Sequence, residues 1–133
     1  MAYQTELLSG IKRVEHAIGE PIGDPLWWSG LSRAVAQLRT AFSAHVDVTE
    51  GPTGHYAGLL EHAPRLARGV NDLVDEHRDV LAAFNELEDT MERVSPDRVR
   101  RQTVRVLRKV WRHRQRGADL LYEAYVIDIG GET

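Results

Sequence analysis

The 133-residue sequence predicts an all-α protein, four main helices packed as an up-down-up-down bundle. Three observations carry that expectation. Apolar residues recur at three- and four-residue steps along most of the chain. Two dipeptides, Asp24-Pro25 and Ser95-Pro96, join a capping side chain to a proline whose fixed φ and missing N–H suit the first helical position. No stretch alternates apolar and polar residues for long enough to build a strand. At this length the chain is one domain, able to bury roughly two-thirds of its unfolded surface in a single core.

The elements follow in order. Leu7, Ile11, Val14 and Ile18 mark a short first helix that ends in the loop from Gly19 to Pro25. The second runs from about Pro25 to Glu50, carried by Leu31, Ala34, Val35, Leu38, Phe42 and Val48, and Gly51-Pro52-Thr53-Gly54 stops it. A turn of helix at Leu59 and Leu60 precedes Pro64, which opens a long amphipathic run through Leu66, Val70, Leu73, Val74, Val80, Leu81, Phe84 and Leu87 to near Arg93. The last helix spans Pro96 to about Val126, with Val104, Leu107, Val110, Trp111, Leu121 and Tyr125 inward and Ile129-Gly130-Gly131 as a tail. Trp27 and Trp28, in the first turn of the second helix, are expected to close one end of the core.

Composition narrows the function classes. With 42% hydrophobic and 28% charged residues the chain reads as globular, neither disordered nor membrane-embedded. It has no cysteine, which removes thiolate catalysis, Cys-based zinc sites and iron–sulfur clusters. The start Met-Ala-Tyr-Gln-Thr-Glu-Leu-Leu is not that of a signal peptide, and no apolar run approaches the ~18 residues of a membrane span, so the cytoplasm is the default expectation. No Gly-rich phosphate loop or Gly-x-Ser-x-Gly elbow is present, and no conventional catalytic motif argues for an enzyme.

Six histidines then become the informative residues: His16, His45, His55, His62, His77 and His113. At about 100° per residue, Leu73, Val70, Val80, Leu81 and Phe84 all fall within about 60° of His77, which makes it the centre of its helix's apolar stripe. Leu38, Ala41, Phe42, Val48 and Thr49 surround His45 in the same way. His113 has Val106 and Val110 on its side, but Leu107 and Trp111 draw the stripe away and leave it on the flank. His16 lies opposite Leu7, Ile11, Val14 and Ile18 and is expected at the surface. An inward imidazole needs a partner, and a metal ion is a partner that several helices can share. Separate hydrogen-bonded core histidines are the alternative.

These residues also resemble the hemerythrin family, the HHE cation-binding domain, over nearly the whole chain. Val14-Glu15-His16 and Leu73-Val74-Asp75-Glu76-His77 look like its two Glu-His helices. Ala41-Phe42-Ser43-Ala44-His45 with Glu50, and Trp111-Arg112-His113 leading to Asp119 and Tyr122, look like the helices on which a histidine precedes a carboxylate. Leu59-Leu60-Glu61-His62-Ala63-Pro64 is similar to the stretch after the second helix's ligands. The resemblance implies a four-helix bundle holding non-haem iron, with O₂ or NO binding or redox sensing as functions. The sequence departs from the di-iron pattern: Glu50 follows His45 by five residues with Thr49 at the usual fourth, Gly117 and Ala118 stand where a second bridging carboxylate belongs, and Leu73 and Leu81 flank His77 where another histidine is expected.

The expectation is therefore a single divalent ion, iron or zinc, held by His45, His77 and His113, with Glu50 or water completing the shell and His16 as a further candidate ligand. Its partners would be the metal and a small diatomic molecule, with no membrane. A metal-free bundle acting in protein interaction or homodimerisation, through Trp27, Trp28 and the Tyr122–Ile127 end, competes with it. Another alternative starts from charge. Residues 93–116 hold ten basic residues against Asp97 alone, net +9, which leaves −12 for the rest of a chain whose total is −3. Such a helix could meet phosphates, but no aromatics interleave the basic residues, and acidic residues such as Asp72, Asp75, Asp79 and Glu86 on the preceding helix are expected to neutralise it.

Overall fold

A computed structural model of the chain describes residues 2–127, and among these it has five α-helices and no strand. They are α1 (Ala2–Gly19), α2 (Trp27–Thr49), α3 (His55–His62), α4 (Ala67–Thr90) and α5 (Pro96–Tyr122). A 3₁₀ turn, Pro64–Leu66, leads into α4, and a π-helical turn, Glu123–Ile127, follows α5. The Ile129-Gly130-Gly131 tail lies outside the described residues. α1 packs along α2 and α5, α4 packs along α5, and α2 touches both α4 and α3. No described helix is long and apolar enough to cross a membrane.

Two helix starts behave differently. At α5 the expected cap forms: Ser95 Oγ accepts from the Arg98 N–H at 3.3 Å with Pro96 at the first helical position. At α2 the helix begins two residues later than Pro25. Asp24 instead accepts from the Leu26 N–H at 2.8 Å, so Asp24-Pro25 makes a side-chain-bridged turn ahead of the helix. The turn expected at Leu59 and Leu60 is a full eight-residue helix.

The core comes in two apolar parts. The larger collects Leu7, Ile11 and Val14 from α1, Trp27 to Phe42 from α2, Val80 to Leu87 from α4 and Val99 to Val110 from α5. Leu59, Ala63, Leu66, Val70, Leu73, Leu120 and Ala124 form the smaller. Along α4 the chain passes from the smaller cluster at Leu73, through His77, to the larger at Val80; along α5 it passes from Val110, through His113, to Leu120. On α2, His45 follows the last large-cluster residue, Phe42. The three histidines therefore form a polar layer between two apolar blocks. Trp27 is buried in the larger cluster and Trp28 packs partly buried against it, with ring centroids 6.1 Å apart.

Some residues expected inward face out. Trp111 is 49% exposed, Tyr125 50% and Val48 39%. The buried side of α5 is Val99, Thr103, Val106, Leu107, Val110, His113 and Leu120, so its centre is turned away from Trp111 and toward His113. Trp111 lies outside that face; its indole sits beneath the Arg114 guanidinium, 5.7 Å from the ring centroid.

Candidate metal centre

α2, α4 and α5 each supply one imidazole to a common point. His45, His77 and His113 are 6%, 1% and 1% exposed, which corrects the flanking position expected for His113. Ring centroids lie 5.1 Å apart for His45–His77, 5.1 Å for His45–His113 and 4.6 Å for His77–His113, and each ring is steeply inclined to the others. One ligating nitrogen from each lies within 4.8 Å of the other two. The Nε2 atoms of His45 and His113 are 3.1 Å apart. Two nitrogens bound at about 2.0–2.1 Å with a tetrahedral angle would stand about 3.3–3.4 Å apart, so the observed separation, that of a hydrogen bond, is a few tenths of an ångström shorter than that of two ligands to one ion. Phe42 forms the apolar floor, its ring centroid 5.6, 5.7 and 5.5 Å from those of His45, His77 and His113.

Two carboxylates orient the rings from behind. Glu50 Oε2 accepts from His77 Nδ1 at 2.5 Å, and Glu76 Oε1 accepts from His113 Nδ1 at 2.8 Å. A carboxylate at Nδ1 fixes the proton there and leaves Nε2 with its lone pair facing the cluster; metal-binding histidines are usually held in this way. The other oxygen of Glu76 meets the Arg116 guanidinium. Tyr56, at the start of α3, stacks on His77 at 5.9 Å and 16°, and its hydroxyl lies 3.5 Å from His77 Nε2.

Burial sets the protonation. His45 and His113 are each pushed down to about 3, mainly by desolvation and further by neighbouring imidazoles. Burial also lowers His77, against an opposing pull from Glu50, and raises Glu76 against Arg116. Near neutral pH the three imidazoles are therefore uncharged, the form that binds a metal. A donor set of three imidazole nitrogens suits iron, zinc, copper or nickel. It fits one ion better than two, because Glu50 and Glu76 are spent on Nδ1 atoms behind the rings.

Of the residues singled out from sequence, His45, His77 and His113 come together, and Glu50 joins them through His77. His16 does not. Its side chain is 81% exposed and pairs at 3.1 Å with Glu20, the residue just past the end of α1. Sequence reasoning missed Tyr56 altogether and saw Glu76 only as part of a Glu-His step. Glu76 lies one residue, about 100°, from the buried His77, which turns it from the stripe centre toward α5. A groove of about 570 Å³ between α1 and α2, lined in part by His16 and Trp27, does not reach His45, His77 or His113; a cleft of about 120 Å³ between α4 and α5 does reach His113.

The basic α5 is only partly neutralised by α4. Arg116 pairs with Glu76, and Lys109 stands 3.8 Å from Asp79. Arg98, Arg101, Arg105, Arg108 and Arg112 are exposed and make no ion pair among the described residues.

Compared with protein-family models, with curated proteins and with solved structures, the chain matches none.

Proposed function

We propose that the protein binds one transition-metal ion, iron or zinc, at His45, His77 and His113, within a hemerythrin-like up-down-up-down bundle in which α1, α2, α4 and α5 are the four main helices. The carrying observation is the convergence of three buried imidazoles from three helices, two of them backed by carboxylates at Nδ1. Such a centre suits sensing or binding of a small molecule such as O₂ or NO rather than turnover. An ion held there supplies Lewis acidity and, if it is iron, a redox couple. The chain's part is separate: Glu50 and Glu76 hold the proton at Nδ1 of two rings, and burial keeps all three imidazoles neutral. Phe42 excludes water from one side.

Elemental analysis with an absorption spectrum of freshly purified, untagged protein tests the reading, with His77→Ala as the comparison and circular dichroism as the check on folding. About one ion per wild-type chain and its loss from a folded variant are expected. Metal-free wild-type protein whose stability is unchanged by added Fe²⁺ or Zn²⁺ would overturn it. One observation favours a metal-free scaffold instead: the His45–His113 contact at 3.1 Å lets one imidazole donate to the other, which pairs the two Nε2 atoms without an ion. That outcome would leave an interaction or dimerisation module, with exposed Trp111 and Tyr122 as contact residues.

A further inference from the structure

We infer that Tyr56 is the fourth protein ligand of this centre, giving three imidazole nitrogens and one phenolic oxygen, and that the site takes ferric iron as a coloured phenolate complex. This rests on the proposed function and specifies its ligand set.

The placement of Tyr56 begins in the connection between α2 and α3. α2 stops at Thr49, and the chain reverses through Gly51, whose φ of +98° lies in the region that disfavours side chains. At Gly54 a Cβ would fall 2.4 Å from the Glu50 carbonyl oxygen and 2.6 Å from that of Thr49, so the backbone closes tightly on the end of α2. The Gly54 N–H donates to the Gly51 carbonyl at 3.1 Å, and α3 begins at His55. One short connection thus presents both Glu50, bonded to His77 Nδ1, and Tyr56, stacked on the same imidazole.

The phenol is aimed by that stack. With the two rings 16° from parallel, its hydroxyl lies 3.5 Å from Nε2 of His77, while Glu50 holds Nδ1 of the same ring. A hydroxyl on the flank of a histidine usually meets solvent, but here it meets the nitrogen left with a lone pair facing the other two imidazoles. Nitrogen and oxygen donors bound to one ion at about 2.0–2.2 Å stand roughly 3.3–3.5 Å apart at a tetrahedral angle, so the contact has the spacing of neighbouring ligands. Glu50 and Glu76 are committed to the Nδ1 atoms, which leaves Tyr56 as the oxygen donor at an Nε2 atom. A phenolic oxygen is a hard donor, and it favours ferric over ferrous iron. The step is ligand exchange without electron transfer: the Tyr56 O–H bond breaks, an oxygen–iron bond forms as a bond from iron to nitrilotriacetate breaks, the chelator leaves to solvent, and the proton passes to the buffer.

The test loads metal-free protein with ferric nitrilotriacetate and reads bound iron, the visible spectrum and resonance Raman scattering for wild type, Tyr56→Phe and the control Tyr122→Phe. Phenylalanine keeps the stack on His77, and Tyr122 is 60% exposed on the end of α5. Wild type and the control are expected to bind one iron per chain and to show a phenolate-to-iron charge-transfer band with phenolate vibrations. Tyr56→Phe is expected to retain its fold, lose the band and bind ferric iron at least ~10-fold more weakly, the lower end of what lost support around a metal costs. One bound iron without the band in wild type, or a band that survives in Tyr56→Phe, overturns the assignment of Tyr56 and leaves the three-histidine centre standing. Failure of wild type to bind iron, zinc or any related ion overturns both.

Discussion

Acidification should destabilise the metal-free protein, and the size of the effect follows from the buried imidazoles. His45 and His113 sit near 3 in the fold against an ordinary value of 6.5, because burial penalises the imidazolium. Between those values the unfolded chain takes up protons that the folded chain refuses. Stability is therefore full above about pH 6.5 and falls as the pH drops through that window. At about 1.4 kcal/mol per unit of pKa difference, lowering the pH from 7 to 5 removes about 2 kcal/mol for each histidine and about 4 kcal/mol for the two. His77, lowered by burial, adds in the same direction, while Glu76, raised by burial, takes a part back because its folded form holds a proton more readily. Urea unfolding of chelator-treated protein at pH 7, 6 and 5 measures the quantity. With a slope of about 2 kcal/mol per molar, the midpoint should fall by about 2 M across that range. Replacing His113 by leucine, which keeps the volume and removes the titrating ring, should roughly halve the fall. Equal unfolding free energies at pH 7 and 5, or an undiminished fall in a His45→Leu, His113→Leu double variant, would refute the reasoning.

Other outcomes follow from single contacts. Phe42 is fully buried against all three imidazoles, so Phe42→Ala should cost about 3–5 kcal/mol in chemical denaturation. Glu50→Gln removes the carboxylate that orders His77 and should weaken Zn²⁺ binding by ~10–100-fold in calorimetric titration while the far-ultraviolet spectrum is unchanged. Gly54→Ala forces a Cβ against two carbonyl oxygens and should lose more than about 1 kcal/mol in thermal unfolding.

Much of the fold was legible because helices declare themselves locally. The three- and four-residue steps placed the long helices to within a few residues, and Ser95-Pro96 marked the start of α5. Asp24-Pro25 carried the same signature and meant something else, since an aspartate can bridge a turn as readily as cap a helix. The site was legible where one helix sufficed to reveal it: His45 and His77 lie at the centres of their own stripes. His113 needed its helix's true centre, which a surface tryptophan obscured. Glu76 and Tyr56 were hidden for a different reason. Their roles depend on which residues from other helices stand beside them, and periodicity within one segment carries no information about that. The same holds for His16, whose Glu-His step fits a motif but whose helix turns it toward solvent and Glu20.

The central claim is that imidazoles from α2, α4 and α5 share one ion. X-ray absorption at the metal edge of protein loaded with one equivalent of Zn²⁺ reads that shell directly. Outer-shell scattering from about three imidazoles is expected in wild type, dropping by one ring in a folded variant that lacks any one of His45, His77 or His113. A zinc shell without imidazole scattering, or one that is indifferent to all three substitutions, would contradict it.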